Sequence, residues 1–178
     1  MKYPFLGFHP RQRHRLFWWA LGLTVIAAVT LQVVDAALKT PAAPQGIVSF
    51  ELAGSPAQAA AILQSWDARA QLHAAFSLGF DYLFMLAYAS AIALAALWVS
   101  EGLAGWTGRL GVVMAWAMGL AGLADAAENA LLWRILLNDA AESYPAWASR
   151  AATLKFGIIG LALLYVLAAL LMRVFRKR

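Results

Sequence analysis

Cysteine is absent from the 178 residues, which excludes disulfides, thiolate nucleophiles and cysteine-held zinc or iron–sulfur clusters. Charge is scarce too: Asp, Glu, Lys and Arg make up 13% of the chain, about half of what a soluble domain carries. No serine sits in a nucleophile elbow, and no glycine-rich loop opens a helix to cradle phosphate. The net charge of +5 would suit nucleic acid, but no stripe of basic residues interleaved with aromatics exists to read it. Nucleic acid is set aside as a partner.

What fills the chain is apolar: 63% of residues, with a mean hydropathy of +0.68. Four long apolar runs cover about 16–38, 76–99, 110–137 and 154–174. Each reaches the roughly 20 residues that a helix needs to cross about 30 Å of hydrocarbon. Lipid offers exposed backbone groups no partners, so runs of this length must be helical. The first run follows a basic stretch, and Val34-Asp35-Ala36 near its end resembles a signal-peptide cleavage site. Its apolar core exceeds the roughly 7–15 residues of such peptides, and it reads as a span. The expected fold is therefore an all-α integral membrane protein, four transmembrane helices in an antiparallel bundle, forming one membrane domain over 1–178.

Lysine and arginine set the orientation. Lys2, Arg11, Arg13 and Arg15 precede the first span, and Arg173, Arg176, Lys177 and Arg178 close the fourth. The turn between spans two and three holds Glu101 and Arg109, while Glu51, Asp67, Asp139 and Glu142 dilute the bases of the other connections. Basic flanks stay inside, so the termini (1–15 and 175–178) are expected in the cytoplasm of a bacterial-type inner (plasma) membrane. Trp18, Trp19, Trp98, Trp106, Trp133 and Trp147 near the span ends fit an interfacial belt.

The outside loop, 39–75, breaks at Pro41 and Pro44. Residues 47–52 alternate in a β-like way, which predicts a short extended segment across the bundle mouth. Ser55-Pro56 then reads as a helix cap with proline at the first position. The Ala-rich stretch to His73 predicts an amphipathic helix with Ile62, Leu63, Trp66 and Ala70 on one side. It would lie at the interface or extend span two, with Gly79 as a weak point. Small residues at every fourth place, such as Gly111, Ala115 and Gly119, predict close helix packing.

The informative residues are polar groups inside apolar spans: Gln32 and Asp35, then Asp81 with Tyr82 and Tyr88, then Asp125, Glu128, Asn129 and Arg134, then Lys155. Buried ionisable groups are costly and normally face a bundle interior or a water-filled cavity. With both termini inside, all four helices bring these groups to one layer, about one to two turns below the outer interface. Glu51, Trp66, Asp67, Arg69 and His73 of the loop would lie over it. The picture is a polar pocket open to the outside and roofed by the loop.

Asp125, Glu128 and Asn129 are spaced i, i+3 and i+4 and share one helical face. With Asp81 opposite, Asp125 and Glu128 are candidate ligands for a magnesium- or calcium-type cation. Equally, neighbouring carboxylates in low dielectric would share a proton, or Lys155 and Arg134 would neutralise them in a salt-bridge network. Asp35 has Lys39 four residues on as an ion-pair partner. The cofactor, if any, stays open. Three functions follow. The first is a binding or accessory subunit of a larger membrane complex or homo-oligomer, taking a small ligand or lipid headgroup. The second is an enzyme acting on a lipid-linked substrate through the carboxylates. The third is a proton- or cation-coupled transporter subunit, which the bare inner half of the bundle disfavours.

Overall fold

The structure, a computed structural model, describes residues 4, 5, 7–138 and 141–176. Lys2, Asp139, Lys177 and Arg178 lie outside the described residues, as does the Arg176 side chain. Among the described residues every regular element is a helix. The long ones are α1 (Pro10–Asp35, continued by a 3-10 turn Ala36–Leu38), α4 (Ala68–Ser100), α5 (Gly105–Leu136) and α6 (Tyr144–Arg176); α2 (Ile47–Glu51) and α3 (Pro56–Ser65) are short. All four long helices are long and apolar enough to cross a membrane, which marks a multi-pass membrane protein. The 33 residues of α4 rise about 50 Å at 1.5 Å each, so this helix projects well beyond the hydrocarbon.

Local chemistry sets the helix ends. His9, in the basic flank, caps α1: Nδ1 accepts from Arg11 N at 3.4 Å, and His9 N donates to Gln12 Oε1 at 2.8 Å. Pro10 at the first position has no amide to leave unsatisfied. The Ser55-Pro56 signature starts α3, with Ser55 Oγ accepting from Gln58 N at 3.3 Å. Asp67 starts α4 by accepting from Ala70 N at 2.7 Å. This last cap divides the Ala-rich stretch expected as one helix: α3 stops at Trp66, and 68–75 are the first two turns of α4. The helix runs through Gly79 without a break.

One expectation is overturned. The segment 47–52, read as extended from its alternating pattern, is the single helical turn α2. Gly46 precedes it at φ 59° and ψ −128°, a conformation open essentially to glycine. That twist turns Ile47 N toward Asp35 Oδ1, which accepts it at 2.7 Å. A side chain at 46 would collide with the Asp35 carboxylate. The cap of α2 thus comes from the end of α1, twelve residues away, and no local pattern foretells it.

Packing follows the small residues. α5 lies against both α6 and α4, α1 lies against α4, and α1 makes no comparable contact with α6. A methyl at Gly111 would lie 2.5 Å from Ser100 Cβ and 2.9 Å from Ala96 O, so glycine lets α5 approach the backbone of α4. One apolar core joins the connecting segments to the bundle through Leu38, Phe50, Ile62, Trp66, Leu78 and Leu132. Trp66 is buried there, donating Nε1–H to Leu38 O at 2.9 Å. A second core, around Tyr88, Leu97, Met118 and Ala162, fills the middle of α4, α5 and α6. Large apolar side chains such as Trp19, Leu123 and Phe175 cover the outside, as expected of a surface facing lipid tails.

Candidate functional site

Lys155, at the start of the apolar part of α6, organises the polar interior. Its ammonium donates to Asp125 Oδ1 at 2.8 Å and to Glu128 Oε1 at 3.0 Å, and stands 3.5 Å from Glu51 Oε2. All four residues are buried, Glu128 completely. The i, i+3 spacing of α5 presents Asp125 and Glu128 together, and α2 delivers Glu51 from above. Tyr88 of α4 donates its hydroxyl to Asp125 Oδ2 at 2.7 Å, and Asn129 donates to Asp81 Oδ2 at 2.6 Å. Three long helices, α4, α5 and α6, and the short α2 therefore meet in one polar cluster.

Charge in this network does not balance. One ammonium faces three carboxyl groups, and Asp81 adds a fourth on the far side of Asn129. Burial holds the Glu51 carboxyl above its ordinary value of 4.5; Lys155 pulls the other way, and Asp125 adds to the rise. Glu51 Oε2 and Glu128 Oε2 are buried and accept no hydrogen bond from a protein donor. Buried polar atoms of this kind call for a proton, a water or a ligand donor.

Beside the network is a cavity of about 460 Å³, within the range of small-molecule sites. Its polar end is Asp35, Glu51, Asp81, Asp125 and Lys155, with Gln32 and Ser77 beside them. The other walls are apolar, among them Leu31, Phe84, Ile92, Phe156 and Ile159. The space exists because α1 and α6 both lie on α4 without extensive packing on one another, and Ile47, Val48 and Glu51 of α2 line it as well.

Of the residues singled out in the sequence, Asp81, Asp125, Glu128, Asn129 and Lys155 come together, and Glu51 joins them as a direct ion-pair partner. Asp35 lines the cavity while it caps α2, with Lys39 at 4.0 Å from its other oxygen. Tyr82 is half-exposed and donates to Ala126 O at 3.3 Å, outside the cavity. Arg134 is exposed in the last turn of α5, about 9 Å along the axis from Glu128. Trp66 is a core residue, Asp67 a cap, and Arg69 is exposed. His73 is partly buried in α4, and its Nδ1 is buried without a hydrogen bond. For metal binding, the ammonium of Lys155 stands between Asp125 and Glu128, and Asn129 engages Asp81. Among the described residues no three His, Asp or Glu side chains are arranged to hold an ion.

Ser77 and Phe84 were not set apart by the sequence, and Tyr88 was named only as a neighbour of Asp81. Tyr88 lies seven residues after Asp81 on the same face of α4, and that spacing is the signal for its joining the cluster.

The chain was compared with protein-family models, with curated proteins and with solved structures, and it matches none of them.

Proposed function

We propose that this is a binding protein of a bacterial-type inner membrane, with both termini in the cytoplasm and a cavity facing out. The cavity receives the polar end of an amphipathic molecule, a lipid headgroup or small ligand, presented by the protein alone or as an accessory subunit of a membrane complex. The carrying observation is the cavity itself: an ionisable cluster, apolar walls along the rest, and a side where α1 and α6 do not pack extensively on one another. A site built this way suits a molecule that arrives sideways from the bilayer.

Orientation and topology have their own support. Arg13 of α1 stands 3.6 Å from Glu101, and Arg173 of α6 donates to Trp98 O at 2.8 Å. Basic residues of both flanks thus gather at the α4–α5 turn, the end remote from the cavity, in keeping with the positive-inside rule. Contacts between α4 and α5 run in opposite directions, Asp81 with Asn129, Tyr88 with Asp125, and Ser100 beside Gly111. They favour an antiparallel bundle.

Ala28 lines the cavity from α1, about two turns before Asp35, and takes part in none of the ion pairs, so Ala28→Trp fills space without removing a member of the ion network. Mass spectrometry of amphiphiles co-purified in a mild detergent should find a species on the native protein that is depleted from Ala28→Trp. Identical profiles from both proteins, each folded, would overturn the reading.

A further inference from the structure

We infer that the occupant of this cavity carries a cationic head, an ammonium or quaternary amine, on an apolar chain. The inference rests on the cavity being a binding site and specifies its chemistry. Lys155, the cation at the polar end, is already enclosed by Asp125, Glu128 and Glu51, at 2.8, 3.0 and 3.5 Å. It has no geometry left for a phosphate or carboxylate, and an anion entering beside Glu51 and Asp81 would be repelled.

What the cavity offers instead is acceptors. Glu51 lines it and is more than nine-tenths buried, with Oε2 accepting no hydrogen bond. Asp81 lines it from α4, and Asp35 from α1. A head bearing positive charge would balance the excess of carboxylates that protons otherwise satisfy. Phe84 and Tyr88 also line the space, and aromatic rings attract cations, quaternary ammonium groups above all; the Phe156 ring already has Lys155 Nζ 4.9 Å from its centroid. Leu31, Ile92 and Ile159 continue the wall and would bury the chain, each methylene contributing about 0.8 kcal/mol.

Three probes of equal chain length separate the terms: decylamine, decanol and decanoate, titrated against the full chain in maltoside micelles with the shift in Tm as readout. Saturable stabilisation by decylamine is expected at about ten- to a hundredfold lower concentration than by decanol, the span of one or two charge-assisted hydrogen bonds. Decanoate is expected to be weakest. Asp81→Asn keeps an oxygen for Asn129, and Glu51→Gln keeps the shape of α2. Each should remove about tenfold of the preference for amine over decanol, whereas Ala28→Trp should abolish both responses.

Short-chain phosphatidylethanolamine as competitor assigns the source. Displacement of decylamine points to a lipid amine, and no displacement points to a free amphiphilic amine; either outcome supports the cationic head. Equal binding of decanol and decylamine, or preference for decanoate, overturns the inference while the cavity remains a site. Saturable binding of none of the probes to the native chain overturns the site, and the inference with it.

Discussion

Replacing Lys155 by methionine removes the one cation that three buried carboxyl groups share. The substitution keeps an unbranched side chain, one atom shorter, and deletes two charge-assisted hydrogen bonds, at 2.8 and 3.0 Å, with the 3.5 Å ion pair to Glu51. Bonds to charged groups contribute about 1.5–3 kcal/mol each, and breaking a buried pair from one side costs about 3–5 kcal/mol. The lower part of that range is expected, because burial holds the Glu51 carboxyl above its ordinary value, which eases uptake of a proton when the ammonium is gone. Neutralising the partners as well, in Lys155→Met/Asp125→Asn/Glu128→Gln, should recover at least half of the loss. Tyr88 still finds an amide oxygen at 125, and no formal charge stays buried on α5. Equilibrium unfolding by SDS titration, followed through tryptophan fluorescence, measures all three proteins. A single variant within about 1 kcal/mol of the native protein, or a triple variant no better than the single, would refute the role of Lys155 as organiser of the bundle.

Gly46→Ala puts a methyl into the Asp35 carboxylate at a glycine-only conformation. It should destabilise docking of α2 by roughly 2–4 kcal/mol, seen as faster deuterium exchange over 47–51. The same segment should respond to pH. Because burial holds the Glu51 carboxyl above 4.5, docking is firmest below that value and weakens as pH rises through the raised one. Exchange over 47–51, corrected for intrinsic rate, should therefore climb with pH above 4.5; Lys155, Asp125 and Glu128 face the group, and Glu51→Gln should flatten the dependence. At the other end, Gly111→Ala meets Ala96 O at 2.9 Å, a backbone atom that yields only if α4 and α5 separate. Loss of about 1–3 kcal/mol in the SDS titration is expected, and a neutral result would show that the close approach is dispensable.

The four long helices were legible because lipid leaves an apolar run of 20 or more residues no other backbone solution. The face formed by Asp125, Glu128 and Asn129 was legible for a similar reason: helical spacing places them together whatever else happens. Which residue each one meets was not. Asn129 reaches Asp81 and Asp125 reaches Tyr88 through the register of α4 on α5, which depends on contacts such as Gly111 with Ala96. Arg134 was weighed as a counter-ion from its place on α5, but six residues is about 9 Å of helix, too far to share Lys155's position. The connecting segments were the least legible part. Residues 47–52 alternate like a strand, yet Gly46 and the carboxylate of Asp35 make them a helical turn. That turn carries Glu51 down to Lys155, so a residue expected in the roof is a member of the cluster.

Ser77 offers the most direct test of an outward-facing cavity with acidic character. It is buried, it lines the cavity near Asp81, and the chain contains no cysteine, so Ser77→Cys is a single, nearly isosteric thiol. Its rate of reaction is to be measured with membrane-impermeant methanethiosulfonates, one cationic and one anionic, added to intact cells or to inverted vesicles. The thiol should react from the cell exterior and not from the cytoplasmic face, faster with the cationic reagent, and decylamine should protect it. Reaction only from the cytoplasmic face, or a faster reaction with the anionic reagent, would contradict an outward-facing acidic cavity.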